Sequence, residues 1–397
     1  MSSEYGTEPE GVNMDKVRVS ENIPSRKQAA WTAGSCPVPD GNSVNSFLLK
    51  EIYEQPRAVM DTITEWIDDT EGLLRELGLK HGINNIRRLH MVGCGTSYHA
   101  GLIGRYIIEK FVHIPVIVDI ASEYGYLRPN IPKGTCFIGI SQSGETPDTV
   151  EAQRDARKKG AVVIAVCNVA GSTATHEADA VLRTRAGQER GGASTKAFSA
   201  QLAALCLLGI ALGIKKRTLH DIEVETLRSL VFNLPDLIAR VLESDRKISD
   251  ISRTLLSSRG FVYLGRGISY PVAIEGALKM KELSNIHAEG YPTGQMKFGP
   301  LALIGDGAPV IYLCPIESLD NDILHDITRV KTMGGRVIVI TDSPALMNGI
   351  ADDVIAVPTV HPALSPFVTV VPLQLLAYRI AAVKCTAMSL QSPLCPS

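Results

Sequence analysis

The segment Thr135–Gln153, "TCFIGISQSGETPDTVEAQ", sets an unbroken apolar run against a cluster of small hydrogen-bonding groups, and a helical pattern follows. The run "CFIGI" has the length and continuity of a strand buried on both faces, as in parallel sheets covered by helices. "SQSGET", Ser141–Thr146, then breaks the pattern: Gly144 permits a tight turn, Thr146 suits a helix N-cap, and Pro147 suits the first helical position. A strand, a hydroxyl-rich turn and a helix make one βα unit.

The same unit recurs in both directions along the chain. Apolar runs "LHMVGCG", "PVIVDI", "AVVIAVCN" and "DAVLRTRAG" flank it, and the pattern restarts with "FVYLGRG", "APVIYLCP", "RVIVITD" and "DDVIAVPT". The halves repeat one another. "GCGTSY" at Gly93–Tyr98 returns as "GRGISY" at Gly265–Tyr270, an offset of 265 − 93 = 172, and "KKGAVVIAV" returns as "MGGRVIVIT", with Gly160 and Gly335 offset by 175. Duplication follows, and the expected fold is α/β: two tandem doubly wound parallel-sheet domains, residues 47–217 and 218–384. Residues 1–46, rich in Gly, Pro, Ser and charge, read as a flexible leader. The stretch "AIEGALKMKELSNIHAEGY" reads as helical throughout.

Composition narrows the function. At 397 residues there is room for two or three packed domains. A net charge of −2, a pI near 6.5 and scattered Lys and Arg argue against nucleic acid or an anionic membrane as partner. Eight singly spaced cysteines, three of them (Cys136, Cys167, Cys314) inside apolar runs, fit a reduced cytoplasmic protein, as does an acidic N-terminus lacking an apolar signal. No Cys or His spacing suggests a metal. The apolar run Ala197–Ile214 reads as a buried core helix rather than a membrane span.

In such sheets, ligands bind beyond the carboxyl ends of the strands. Two turns there collect backbone N–H groups and hydroxyls at helix N-termini: Cys94, Gly95, Thr96 and Ser97 in one, Ser141, Gln142, Ser143 and Thr146 in the other. Having no Lys or Arg, and matching neither nucleotide-binding glycine pattern, they suit a compact phosphate monoester. Glu275, Lys279 and Glu282 stand at i, i+4 and i+7 on one helix face. Spacing alone favours a solvated, salt-bridged stripe over the sharper reading, an acid–base pair for moving a proton between carbons. His99 and His287 read as structural hydrogen-bonders and His176 as a surface residue.

Seven ordered motifs carry a resemblance over residues 47–384: "KEIYEQP", "GCGTSYHA", "DIASEYGY", "ISQSGETPDT", "GGASTKAF", "YPVAIEGALKMKELSNIHAEGYPTGQMKFGPLALI" and "VPLQLLAYRIA". The chain resembles the isomerase half of glutamine-fructose-6-phosphate aminotransferase, or glucosamine-6-phosphate synthase. That half is two sugar-isomerase (SIS) domains of flavodoxin-like, three-layer αβα form. The resemblance implies that the two hydroxyl turns grip fructose 6-phosphate, with Ser194 near the sugar. It also implies that Glu282 moves the proton between the first two sugar carbons while Lys279 assists at the oxygen. No metal or organic cofactor is implied. A homodimer is implied, in which a neighbouring subunit completes the site.

Three departures shape the expectation. The leader is too short for the family's glutaminase domain, so ammonia would be free or come from a separate protein. "KFGP", Lys297–Pro300, puts Phe298 where relatives carry the histidine credited with ring opening, and a phenyl ring transfers no proton. The tail 385–397 diverges and carries no lysine after Lys384, which bears on the family tail's lid and Schiff-base roles. Three readings follow. They are a hexose-phosphate enzyme (isomerase, ammonia-dependent synthase or deaminase), a non-catalytic sugar-phosphate sensor, and an inactive truncated synthase.

Overall fold

A computed structural model describes residues 44–79, 85–305 and 307–389. The expectations for residues 1–43 and 390–397 lie outside these residues. The first sheet contains β1 (Arg88–Gly93), β2 (Val116–Ile120), β3 (Thr135–Ser141), β4 (Val162–Cys167) and β5 (Ala180–Arg183), all parallel, in the order β2-β1-β3-β4-β5. The second contains β6 (Gly260–Gly265), β7 (His287–Pro292), β8 (Pro309–Leu313), β9 (Arg336–Thr341) and β10 (Asp353–Ala356), in the order β10-β9-β8-β6-β7. Each is the 2-1-3-4-5 order of a doubly wound sheet, written twice.

Helices cover both faces. The first half carries α1 (Val44–Tyr53), α2 (Gln55–Ile63), α3 (Thr70–Glu76), α4 (Thr96–Val112), α5 (Ala121–Leu127), α6 (Pro147–Lys158), α7 (Thr173–Glu177) and α8 (Lys196–Lys216). Next come α9 (Asp221–Phe232), α10 (Leu234–Leu242) and α11 (Asp245–Thr254), then α12 (Ser269–Ser284), α13 (Asn321–Thr332) and α14 (Ser365–Ser389). Helix α8 is buried on every face from Lys196 to Gly213, packed against α2 and α4, which is the core-helix arrangement its composition predicts. One apolar cluster runs without a break from Ile52, Leu89 and Leu205 in the first half to Val272, Phe367 and Leu376 in the second. Helix α12 packs on α14 and also on α4, and so spans the two halves.

Two expectations need correction. The stretch from Ala273 to Tyr291 is not one helix: α12 stops at Ser284, Asn285 takes a left-handed φ of 54°, and His287–Pro292 pairs with β6 as a strand. β7 lies at a sheet edge, mostly half-exposed, and its sequence "HAEGYP" lacks the apolar run that marks the other strands. Helix α1 includes Val44–Ser46, and α14 includes 385–389 of the tail; neither stretch contains the Gly or Pro that would stop a helix. In the "KKG" and "MGG" repeats the glycines with matching left-handed backbone are Gly160 (φ 86°) and Gly334 (φ 85°), an offset of 334 − 160 = 174.

Candidate active site

β1 and β3 are adjacent, with β2 and β4 on opposite sides of the pair, so the turns leaving β1 and β3 open side by side at the switch point. In the first turn Gly95 has φ 52° and α4 begins at Thr96. Ser97 accepts a hydrogen bond from Gln201 Nε2 of α8 at 3.0 Å, and its own hydroxyl proton is left to donate. The Cys94 thiol is turned toward Ala121, Ser122 and Thr149, and burial pushes it up. Only its backbone suits an anion.

The second turn is braced from within. Ser141 Oγ accepts from the Gly144 amide at 3.0 Å and shares a hydrogen bond of 3.0 Å with Thr146 Oγ1. Thr146 holds the N-cap position of α6 with Pro147 behind it, yet its hydroxyl makes no cap bond, because it is engaged by Ser141. Gly144 has φ 70°, and a Cβ there would stand 2.0 Å from Ser172 Oγ, so the turn demands glycine. The half-buried Ser143 accepts from the Glu145 amide at 3.2 Å, leaving its proton to donate outward beside Gln142. Ser194, just before α8, has a buried hydroxyl with no partner. No hydrogen bond joins Ser194 directly to either turn among the described residues.

Helix α12 brings the charged face to the first turn. Glu275 and Lys279 are fully buried, and the Glu282 side chain is 38% exposed. Lys279 Nζ donates to Thr96 Oγ1 at 3.0 Å and to Glu282 Oε2 at 2.5 Å, and lies 3.4 Å from Glu275 Oε1. Thr96 in turn donates to Glu275 Oε1 at 3.1 Å, and His99 Nδ1 is hydrogen-bonded to Glu275 Oε2 at 2.7 Å. Burial pulls the Lys279 ammonium down, but Glu275 and Glu282 outweigh it and hold it above its ordinary value. This burial rules out the solvated stripe.

A protonated ammonium beside a carboxylate, both reached from a hydroxyl turn, can hold a proton donor against a developing oxyanion while the carboxylate takes a proton from carbon. Phe298 is 70% exposed, with Lys297 Nζ 5.4 Å from its ring centroid. Spacing did not single out Gln201 or the bond of His99 to Glu275 as parts of the site. The only signal for Gln201 was a polar residue in an otherwise apolar helix.

Residues 82–211 and 254–384 each match the SIS domain. The chain belongs to the SIS-domain family. It is 42% identical over 373 residues to the glutamine–fructose-6-phosphate aminotransferase (isomerizing) of Chlorobaculum tepidum, covering 93% of this chain and 60% of that protein. The Thermus thermophilus protein of that name is 42% identical, covering 94% of this chain and 61% of its own length. The chain thus spans about 60% of the length of the curated relatives it matches. Among solved structures, the C-terminal domain of glucosamine-fructose-6-phosphate aminotransferase from Francisella tularensis superposes with a TM-score of 0.81 at 38% identity, covering 85% of this chain and 96% of that one. The two SIS domains are therefore of the kind that forms the isomerase half of these synthases.

Proposed function

We propose that the chain is a sugar-phosphate enzyme that shifts a proton between the first two carbons of fructose 6-phosphate or glucosamine 6-phosphate. One observation carries this reading: the buried Lys279, paired with Glu275 and Glu282, is hydrogen-bonded to Thr96 of a phosphate-type turn in the other half. A binding module has no use for a buried ammonium beside a half-exposed carboxylate. In the proposed reaction the phosphate lies on the turns of Ser97 and Ser143, Glu282 takes the proton from carbon, and Lys279 donates to the oxygen that gains charge. From fructose 6-phosphate the product is an aldose phosphate or, where free ammonia enters and water leaves, an amino-sugar phosphate; from glucosamine 6-phosphate the shift runs the other way, and water uptake releases ammonia and the ketose phosphate. A homodimer belongs to the same reading, since Phe298 and Leu303, 70% and 56% exposed, are apolar groups a second copy would cover.

The test is incubation with fructose 6-phosphate, with and without ammonium, followed by detection of glucose 6-phosphate and glucosamine 6-phosphate. Product is expected, and Glu282→Gln should lower its rate by about 10²- to 10⁴-fold without loss of binding. A second reading, a sugar-phosphate sensor, is favoured by Phe298 in the place of the relatives' histidine. It takes over if neither product forms while fructose 6-phosphate still raises the melting temperature.

A further inference from the structure

The second half has a cleft of its own. About 240 Å³ opens at the carboxyl edge of the second sheet, between the segments that follow β6, β8, β9 and β10 and the first turns of α14. The turn after β6 is built like the turn after β1. Gly267 has φ 57° where Gly95 has 52°, and Ser269 stands 172 residues after Ser97. A Cβ on Gly265 would lie 2.3 Å from the backbone of Ser269, as one on Gly93 would lie 2.9 Å from the backbone of Ser97. Ser269 lines the cleft at the N-terminus of the 16-residue helix α12; it is 1% exposed, and its hydroxyl has no hydrogen-bond partner. A buried hydroxyl left unpaired at a helix N-terminus calls for a ligand acceptor.

The other wall differs from the first half. Where "SQSGET" follows β3, "CPIESLD" follows β8, and it brings Glu317 to the cleft, with Asp342 from the end of β9 beside it. Burial pushes the Glu317 carboxyl up, Lys110 of α4 draws it down, and Asp342 raises it again. Arg266 lines the cleft and is ion-paired to Asp320. Inorganic phosphate alone would meet these carboxylates. A molecule with an oxyanion at one end and hydroxyls or an amine at the other satisfies both walls. The volume lies just below the ~300 to 1,000 Å³ of pockets for larger ligands and suits one monosaccharide.

We propose that this cleft is a second binding site for a phosphorylated monosaccharide, with the phosphate at the Gly267–Ser269 turn and a hydroxyl or amine at Glu317 and Asp342. It rests on the proposed function for the class of ligand alone. The experiment is calorimetric titration of the full chain with glucosamine 6-phosphate, fructose 6-phosphate and inorganic phosphate separately. At least one sugar phosphate should bind at two sites per chain. A Ser97→Ala/Ser143→Ala variant should retain one of them, and adding Ser269→Ala or, independently, Glu317→Gln should weaken that remaining site about tenfold.

One event in the wild type and none in the Ser97/Ser143 variant overturns the second site. So does a retained event indifferent to both Ser269→Ala and Glu317→Gln. Inorganic phosphate bound there as tightly as the sugar phosphates overturns the two-ended ligand. A retained, Ser269-dependent event in a protein with no isomerase activity sinks the proposed function and leaves this site standing.

Discussion

Replacing Lys279 by Met tests whether the buried charge cluster is an electrostatic unit. Met keeps most of the stem's bulk and removes the ammonium, which leaves the fully buried Glu275 without its cation. Removing one partner of a buried ion pair costs about 3 to 5 kcal/mol, because the remaining charge is neither hydrated nor neutralised. Glu275 would keep the Thr96 bond at 3.1 Å and the His99 bond at 2.7 Å, and Glu282 can turn to water. The expected loss is therefore at the low end, about 3 kcal/mol. The ammonium is held above its ordinary value of 10.5, so its contribution is complete below that pH and is lost only as pH rises through the folded-state value. The assay is urea denaturation of wild type, Lys279→Met, Glu275→Gln and the double variant at pH 7.5. The double variant should recover much of the loss, since it buries no lone charge. A Lys279→Met protein within about 0.5 kcal/mol of wild type, or a double variant no better than the sum of its parts, refutes the reasoning.

Further predictions concern the turns and one histidine. Ser143→Ala should weaken fructose 6-phosphate binding about tenfold or more, as expected for a lost donor to a charged oxygen; titration showing unchanged affinity removes Ser143 from the phosphate contacts. Gly144→Ala should destabilise the protein by more than about 1 kcal/mol, because its φ of 70° is strained for alanine and the new methyl would meet Ser172 and Cys167; an unshifted urea midpoint contradicts the close approach. His361 is pushed down to about 4 by burial, with Lys110 adding to the effect, and its Nδ1 accepts from the Ala363 amide, which needs the neutral ring. Its contribution is present above pH 6.5 and lost as pH falls toward 4, at up to about 1.4 kcal/mol per pH unit. Urea midpoints of His361→Gln should accordingly vary less with pH over that range than those of wild type, and parallel profiles would count against it.

The sequence was legible where one physical signal dominated. Nine of the ten strands among the described residues are the apolar runs read from the chain: the central ones are buried on both faces and so continuously apolar, and the edge strands β2, β5 and β10 carry apolar runs as well. The exception, β7, differs from the other edge strands in its sequence, "HAEGYP", which has no apolar run, and it follows a helix capped by Asn285 rather than Gly, so neither its composition nor its boundary stands out. The two turns were visible because hydroxyls and glycines cluster directly after strands. On the charged face spacing alone pointed to the solvated stripe and was wrong, since i, i+4, i+7 spacing is the same for a wet stripe and a buried cluster. Burial separates them, and burial of Glu275 and Lys279 is contributed by α4 of the other half, a contact no local pattern encodes. His99 is the same case: its bond to Glu275 joins residues 176 apart.

The pairing of Lys279 with Glu282 also orders the proposed chemistry. In the structure the Glu282 carboxylate accepts a hydrogen bond of 2.5 Å from the Lys279 ammonium, so that oxygen is occupied. A sugar oxygen that accepts from Lys279 competes directly with Glu282 for the same proton. In the proposed reaction the ammonium shifts its bond toward the oxygen as that oxygen gains negative charge, which frees a Glu282 oxygen to take the proton on carbon. Thr96 makes that exchange feasible: it already bonds Lys279 from the first half, so the ammonium stays solvated by protein while one partner is traded for another. Under that proposal Glu282 stays bonded to Lys279 until a ligand is seated on the adjoining turn. This coupling needs a hydroxyl from one copy of the fold and a helix face from the other, a division of labour that gene duplication followed by divergence allows and a single sheet would not.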